Sequence, residues 1–375
     1  MRQFRNRAHP ITNHKPKTMV LSSKSRLFRL LGMLQLLPFL IAFRNTTPAA
    51  VREQPLSEYT AEVVGASGRM GSFFLDRQQP QAVACPRETT PGSQTPEGCP
   101  IYVATPSYAY DRIFERTPES RRKDLVFAGN AGLPISDRFG NSTILVPHFS
   151  VLYSDQWKGD DEADTNETTS TSRRIQVNTD PSVSPPTYIY GRHAENVATF
   201  LEANGIATQI VPSFPEIKAY SGRKLLWASC FWLLCHTKFH SKVDGEPLTV
   251  GKVHKVRQGD LERLVDEMLP SLRDWLRDEN GIFDASLERI IDRTTVLNYL
   301  RAYSESISGA VPSVDLAKKE LFDRNVVFLQ YPRECPFLED EEDDECPLLR
   351  FEQEFHIQLL EEMGIDVYSI PDALD

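Results

Sequence analysis

The sequence predicts an α/β half followed by an all-helical half, on three observations. A short β-type run, Ala61 to Val64, meets three glycines at three-residue spacing, Gly65, Gly68 and Gly71, and a helix-like segment follows from Ser72 to Arg77. As far as Val211, short apolar runs that end in Gly, Pro or Asn then alternate with helical patterns, the order of a sheet with crossover helices. From Pro215 onward the pattern is mostly helical.

Glycines at such spacing in a strand–turn–helix let the backbone turn tightly and approach a pyrophosphate closely. The helix N-terminus then offers unpaired N–H groups and its positive dipole end to the anion. The stretch Gly65-Ala66-Ser67-Gly68-Arg69-Met70-Gly71 is therefore the candidate cofactor loop, and the first half reads as an N-terminal Rossmann dinucleotide-binding domain. The spacing is GxxGxxG, with Ser67 where the stricter GxGxxG has its second glycine. A glycine-rich turn in an unrelated α/β protein is the alternative.

A chain of 375 residues has room for two domains and extensions, and its 40% hydrophobic residues can bury a sizeable core. The formal net charge of -10 argues against general nucleic-acid binding, which needs clustered Lys and Arg. None of the 6 Cys forms a CxxC pair, and His236, His240 and His254 are not at metal-ligand spacing, so no metal is expected. Cys230 and Cys235 read as buried thiols. Cys335 and Cys346 flank an acidic run, Glu339 to Glu345, that reads as a solvated loop with divalent-cation binding as the lesser alternative, and the two thiols could pair in an oxidising compartment.

Residues 1–57 read as a targeting segment and linker. Their first part carries basic side chains without acids, and the apolar run Leu27 to Phe43 is broken by Arg29, Gln35 and Pro38. No stable membrane span is expected in the mature chain. The Ala42-Phe43 step before Arg44 resembles the junction of two-part plastid presequences, so an organelle, the plastid, is favoured. The secretory pathway, the mitochondrion and an N-terminal signal-anchor stay open. The N-x-S/T triplets at Asn45, Asn141 and Asn166 matter only if the chain stays in the secretory path.

The Rossmann domain is bounded at 58–213. Ala82 to Cys85 is its second strand. Arg87 is the first charged residue after it, where an arginine suits the 2′-phosphate of NADP and an acid would suit NAD, so NADP is favoured, with Glu88 next door as the opposing feature. Ile101 to Thr105 is a strand whose end, with Thr105 and Ser107, passes the nicotinamide side, and a helix runs from Tyr108 to about Glu115. Leu125 to Ala128 is another buried strand, and Asn130 follows it where ligands gather; a turn Asn is the alternative. Ile144 to Tyr153 reads as one strand, and about 157–186 as a polar insertion unable to pack. Thr187 to Gly191, a helix from Glu195 to Ala203 and a strand from Ile206 to Val211 complete the domain.

The helical domain is bounded at 214–330. Ile217 to His236 is long and apolar, with Arg223 and Lys224 at its entry. A Lys there could exchange a proton beside a cofactor cleft; a basic pair whose heads reach water is the alternative. Leu261 to Leu276, Asp284 to Glu305 and Val314 to Asp323 are further helices. Residues 331–375 hold the acidic loop and a last helix, Phe351 to Met363.

The glycine motif, Asn130 at a strand end, the polar linker and a helix opening with Arg223-Lys224-Leu225 resemble the ketopantoate reductase family, within the 6-phosphogluconate-dehydrogenase-like superfamily. The likeness spans residues 58–330, and looks closer still to a poorly characterised group of plant and algal proteins with that fold. The resemblance implies that Gly65, Gly68 and Gly71 hold the dinucleotide. Asn130 would orient nicotinamide or substrate, Lys224 would act as general acid, and Ser308 and Glu320 would hold substrate, Glu320 close to the chemistry. Asn325 matches the Asn that follows that Glu. Three positions depart from the family: Ser107 replaces a loop Lys, Ala228 replaces a substrate-orienting Asn, and the glycine after Asn130 is displaced to Gly132. The substrate is therefore left open.

The expected activity is hydride transfer between NADP and a small carbonyl or hydroxy compound. The alternative is a non-catalytic NADP-binding protein with a sensing or structural role, and a scaffold that binds no nucleotide is the third reading. The expected partner is a small-molecule substrate, and related enzymes add a homodimer built on the helical half.

Overall fold

Apolar runs of three or four residues build the sheet. The computed structural model describes residues 60–78, 81–129, 137–153, 175–178, 180, 182–237, 248–280, 284–329 and 353–370. The targeting segment, Asn130, His240, the acidic run and the Cys335 and Cys346 thiols lie outside the described residues. In chain order the strands are β1 (Ala61–Val64), β2 (Ala82–Cys85), β3 (Ile101–Val103), β4 (Leu125–Ala128), β5 (Thr143–Val146), β6 (Ser150–Tyr153), β7 (Ile175–Asn178), β8 (Thr187–Tyr190) and β9 (Thr208–Ile210). Among the described residues seven of these form one sheet in the order β2-β1-β3-β4-β5-β8-β9, and β6 pairs with β7. The strands β1 to β5 run parallel, β8 turns antiparallel against β5, and β9 is parallel to β8. Strand β1 lies between β2 and β3, so the chain leaves it to one side and returns on the other. The crevice at the carboxyl ends of β1 and β3 is thus a topological switch point, where open α/β sheets bind ligands.

Helices cover both faces, which is why β3 and β4 are buried throughout. On one face α1 (Arg69–Arg77) sets Phe73 and Phe74 against Tyr102, Phe149 and Phe200, with Phe74 stacked on Tyr102 at 4.3 Å. On the other, α2 (Tyr110–Arg116) packs Ile113 near Phe127, Phe139 and Ile144. A short α3 (Glu119–Arg122) leads into β4, and α4 (Ala194–Ala203) connects β8 to β9.

No helix joins β2 to β3. Two buried acids hold the irregular connection down instead. Glu62 accepts from the backbone N–H groups of Gly92 at 2.9 Å and Gln94 at 3.1 Å. Asp124 accepts from Gly98 N and from Arg121, whose guanidinium also donates to the carbonyls of Gly92, Thr95 and Cys99. A buried carboxyl group is tolerated where hydrogen-bond donors meet its oxygens, as the backbone N–H groups and Arg121 do here.

The helical half is wound on α5 (Phe214–His236), capped by Ser213, whose hydroxyl accepts from Glu216 N. Around it lie α6 (Val250–Val256), α7 (Gln258–Asn280), α8 (Ala285–Ile290), α9 (Arg293–Ser306) and α10 (Val314–Lys319). A π-helical turn, Phe322–Val326, follows α10. The last helix, α11 (Glu354–Glu362), joins the same core through Phe355, Ile357, Leu359 and Leu360. A chain of buried hydrogen bonds locks it in: Trp232 Nε1 donates to Asn325 Oδ1, Asn325 Nδ2 to His356 Nε2, His356 Nδ1 to Gln353 Oε1, and Gln353 Nε2 to Ser271 Oγ. Glu267 of α7 caps α11 by accepting from the N–H groups of Phe355 and His356. Among the described residues no helix is long and apolar enough to cross a membrane.

Four elements differ from the sequence reading. The strand expected over 144–153 breaks into β5 and β6 at Pro147, which has no N–H to give a ladder. Part of the insertion expected to stay unpacked forms β7, pairing Val177 with Val151, because Ile175-Gln176-Val177 alternates with period two. The helix expected over Asp284–Glu305 stops at Ile290 and restarts at Arg293, since Asp292 caps α9 by accepting from Thr295 N. The helix expected to reach Asp323 ends at Lys319 and passes into the π turn.

Candidate functional site

The three glycines do different work. Gly65 has φ +81°, and an added Cβ would sit 2.7 Å from Ala104 O, so only glycine lets the turn lie on the end of β3. A Cβ on Gly71 would overlap the Gly65 carbonyl, so this glycine seats α1 on the turn. Gly68 is different: its nearest protein atom to an added Cβ is Gly65 O at 3.4 Å, an ordinary contact. Its N–H closes the turn onto Gly65 O at 3.0 Å, and it stands at the N-cap of α1, where no side chain caps the helix. The first N–H groups of α1 and the positive end of its dipole are thus left without a side-chain acceptor.

This end of α1 opens on a cleft of about 780 Å³, measured with its solvent mouth. Arg69 and Met70 form one wall, Thr105 and Ser107 follow β3, and Ala128 and Gly129 follow β4. Phe149, Ser150 and Val151 close the back, and Leu316 and Glu320 reach in from the helical half. Of the residues singled out in the sequence, the structure brings Arg69, Met70, Thr105, Ser107 and Glu320 together here. Gly129, the neighbour of Asn130, lines the cleft as well.

Glu320 is fixed by Arg324 one helical turn on, through Nη2 at 2.6 Å and Nε at 2.9 Å, both to Oε2. Arg324 belongs to the π turn, whose extra residue turns three successive polar side chains to separate tasks. Asp323 accepts a hydrogen bond from Ser107 Oγ and so ties the helical half to the loop after β3. Arg324 holds Glu320, and Asn325 joins Trp232 to His356. Thr105 Oγ1 in the cleft wall is buried with no hydrogen-bond partner.

Lys224 does not line the cleft. It is fully buried, and its ammonium donates to Pro147 O and to Tyr303 OH at 3.3 Å. Burial, and then the Arg324 charge, push the Lys224 ammonium down to about 7. Arg223 is buried too. It donates to Tyr188 OH at 3.1 Å and lies 4.1 Å from the centre of the Tyr299 ring. Neither head reaches water at the helix mouth.

The other candidates fall elsewhere. Arg87 and Glu88 are exposed in the turn after β2, which Thr89 N closes onto Pro86 O at 2.9 Å. Between them and β1, burial pushes the Cys85 thiol up to about 12, with Glu62 adding to it. Ser308 is not brought to the cleft. It is exposed beside Gly251, whose N–H donates to Ser308 O at 3.1 Å. Asn325 is spent on its buried network, and Ala228 is buried in α5. Sequence reasoning missed Asp323 and Arg324. The i,i+4 spacing of Glu320 and Arg324 was a readable sign of the pair, but nothing local announces a π turn.

No family model and no curated protein matches the chain. Solved structures do. A ketopantoate reductase from Staphylococcus aureus, described as dimeric, matches with a TM-score of 0.44 and 14% identity, over 81% of this chain and 99% of its own. D-mandelate dehydrogenase in its ternary structure with NADH and anilino(oxo)acetate matches at 0.47 and 12%, over 81% and 100%. A 2-dehydropantoate 2-reductase from Methylococcus capsulatus matches at 0.38 and 12%, over 83% and 99%. The described residues of the chain themselves form a Rossmann-type sheet domain followed by a helical one.

Proposed function

We propose that the protein is an NADP-dependent oxidoreductase acting on a small carbonyl or hydroxy compound. The observation that carries this reading is the uncapped end of α1 at the switch point, opening on a cleft that Glu320 closes from the helical half. The residues fit a dinucleotide on three counts: the free N–H groups of α1, the room at Gly68, and the unpaired Thr105 hydroxyl. Nicotinamide dinucleotide held there supplies the hydride. The chain does the rest. The N–H groups of α1 hold the pyrophosphate, Thr105 takes one hydrogen bond, and Arg87 meets the 2′-phosphate that sets NADP above NAD. Asn130 orients the nicotinamide or the substrate, and Glu320, steadied by Arg324, holds a substrate group. Lys224 keeps a proton at Nζ with an affinity suited to exchange at neutral pH. Pairing of two copies and plastid targeting by residues 1–57 complete the proposal.

The test is a thermal-shift titration. Binding to the folded state alone adds about 2.7 kcal/mol at a hundredfold excess over Kd, so NADPH should raise Tm well above NADH at equal concentration. No shift with either nucleotide ends the reading.

A second reading, a non-catalytic NADP-binding protein, is favoured by one observation: Lys224 is fully buried outside the cleft lining, with its ammonium donating to Pro147 O and Tyr303 OH. Lys224→Ala decides between them. Under the first reading turnover of NADPH with a carbonyl panel falls by orders of magnitude while the NADPH shift persists. Under the second, wild type and variant are equally inactive.

A further inference from the structure

The turn after β2 begins level with the glycine loop. Cys85 pairs in register with Val64, the residue before Gly65, so Pro86-Arg87-Glu88-Thr89 starts one strand spacing, about 4.8 Å, to the side of that loop. A second arginine reaches this turn from another element. Arg116, in the last turn of α2, donates through Nη2 to Thr89 O at 3.0 Å. The residue is half-buried, and among the described residues its Nε and Nη1 have no hydrogen-bond partner. Arg112 lies one helical turn earlier on the same side of α2. The acids of α2 are spent elsewhere: Asp111 and Glu115 both meet Arg138, at 3.1 and 3.5 Å. Among the described residues Arg87, Arg112 and Arg116 have no ion-pair partner, although the chain has a formal net charge of -10. The end of β2 is thus a cationic spot on an acidic protein, with Glu88 as the one acid in the turn.

We propose that Arg116 is a second specificity-determining residue for the cofactor, which joins Arg87 in holding the 2′-phosphate of NADP. The inference rests on the dinucleotide reading of the cleft given above and deepens it. The ribose 2′ position lies at the end of the second strand in such sheets, and an arginine there suits the phosphate. Arg116 adds what Arg87 alone lacks. Arg87 stands on an exposed turn, with no hydrogen-bond partner among the described residues. The guanidinium of Arg116 is already fixed at that turn by Thr89 O, with two nitrogens left to donate. A group held in place before binding loses less freedom on binding. A planar guanidinium gives a phosphate two parallel charge-assisted bonds. The phosphate carries about -1.5 to -2 at neutral pH, so both cations are needed to offset Glu88 beside it. The 2′-hydroxyl of NADH brings no charge and finds its acceptor in Glu88. Arg116 therefore acts on NADPH and spares NADH.

Two variants test it on the full chain. Arg116→Gln removes the charge and keeps an amide donor for Thr89 O, and Arg116→Lys keeps both a charge and a donor. The affinities read are those for NADPH and NADH, with the fragments 2′,5′-ADP and 5′-AMP as probes of the adenosine end alone. Each variant serves as its own control, because damage to the fold weakens all four ligands together. Loss of a charge-assisted bond in Arg116→Gln should weaken NADPH and 2′,5′-ADP by roughly 10- to 100-fold and leave NADH and 5′-AMP within about twofold. Arg116→Lys should recover most of that loss. Unchanged NADPH affinity in Arg116→Gln overturns the inference. So does an equal loss for NADPH and NADH, which is what a contact that only shapes the turn would give. An Arg116→Lys protein that recovers nothing overturns it as well. A wild type that binds NADPH and NADH alike overturns it and leaves the hydride-transfer reading standing. If wild type binds neither nucleotide, the proposed function itself fails, and this inference with it.

Discussion

Gly68 and Gly71 stand three residues apart and should respond to the same substitution in opposite ways. A methyl group on Gly71 overlaps the Gly65 carbonyl, backbone against backbone, with nothing flexible to give way. Gly71→Ala should lower stability by roughly 3 kcal/mol, the upper end for an overpacked site. A methyl group on Gly68 meets only an ordinary contact. Gly68→Ala should therefore keep its Tm within a degree or two while losing the NADPH-dependent shift, because the methyl occupies the space where a pyrophosphate would lie. Thermal melts of both variants with and without NADPH check the pair, and a Gly68→Ala protein that still binds would show that the cleft holds its ligand elsewhere. The glycine spacing was fully legible in the sequence, since backbone geometry at such a turn depends on few neighbours. Lys224 was legible as a residue of interest, but its depth was not. That depth depends on Pro147 and Tyr303, 77 and 79 residues away in the chain.

Among the elements, the π turn and α11 show what is gained by fixing a helix with polar rather than apolar contacts. His356 is buried and neutral. With Asn325 donating to Nε2, its proton is on Nδ1, and burial pushes its pKa down to about 3. The unfolded chain titrates near the ordinary 6.5. The network's stability is thus complete above pH 6.5 and is lost as pH falls from there toward 3, because the unfolded state takes up the proton first. His356→Gln should cost about 1–3 kcal/mol at pH 7 by leaving partners unpaired, and should flatten the decline of Tm between pH 6.5 and 4. Melts across that range measure both effects. Elements with strong local codes were readable: β1, β2, β4, α4 and most of α5. The break at Asp292 was also written in the sequence, as an acid three residues before Thr295, and was outweighed by the apolar periodicity around it. The β6–β7 pair was not readable, because its pairing depends on a return of the chain after a long polar stretch.

For the whole molecule, the order of a sheet half and a helical half followed from periodicity alone. The fit between the halves did not, since it is made by single long-range contacts such as Ser107 with Asp323 and Arg223 with Tyr188. Ligand binding should act where those contacts are few. In hydrogen exchange, NADPH should slow segments 65–72, 105–110 and 314–326 and leave the middle of α5 unchanged; slowing centred on α5 would point to a global effect instead. The reason lies in α5 itself, which packs on β5 and β8 at one end and on α6, α7 and α8 along the rest. One continuous rod thus belongs to both halves. A rod shared in this way couples the halves, because swinging the helical half about it would part Lys224 from Pro147 and Arg223 from Tyr188. The segment Leu316–Asp323 joins these parts: Ala317 anchors it in the helical core, and Asp323 at its end clasps Ser107 of the loop after β3.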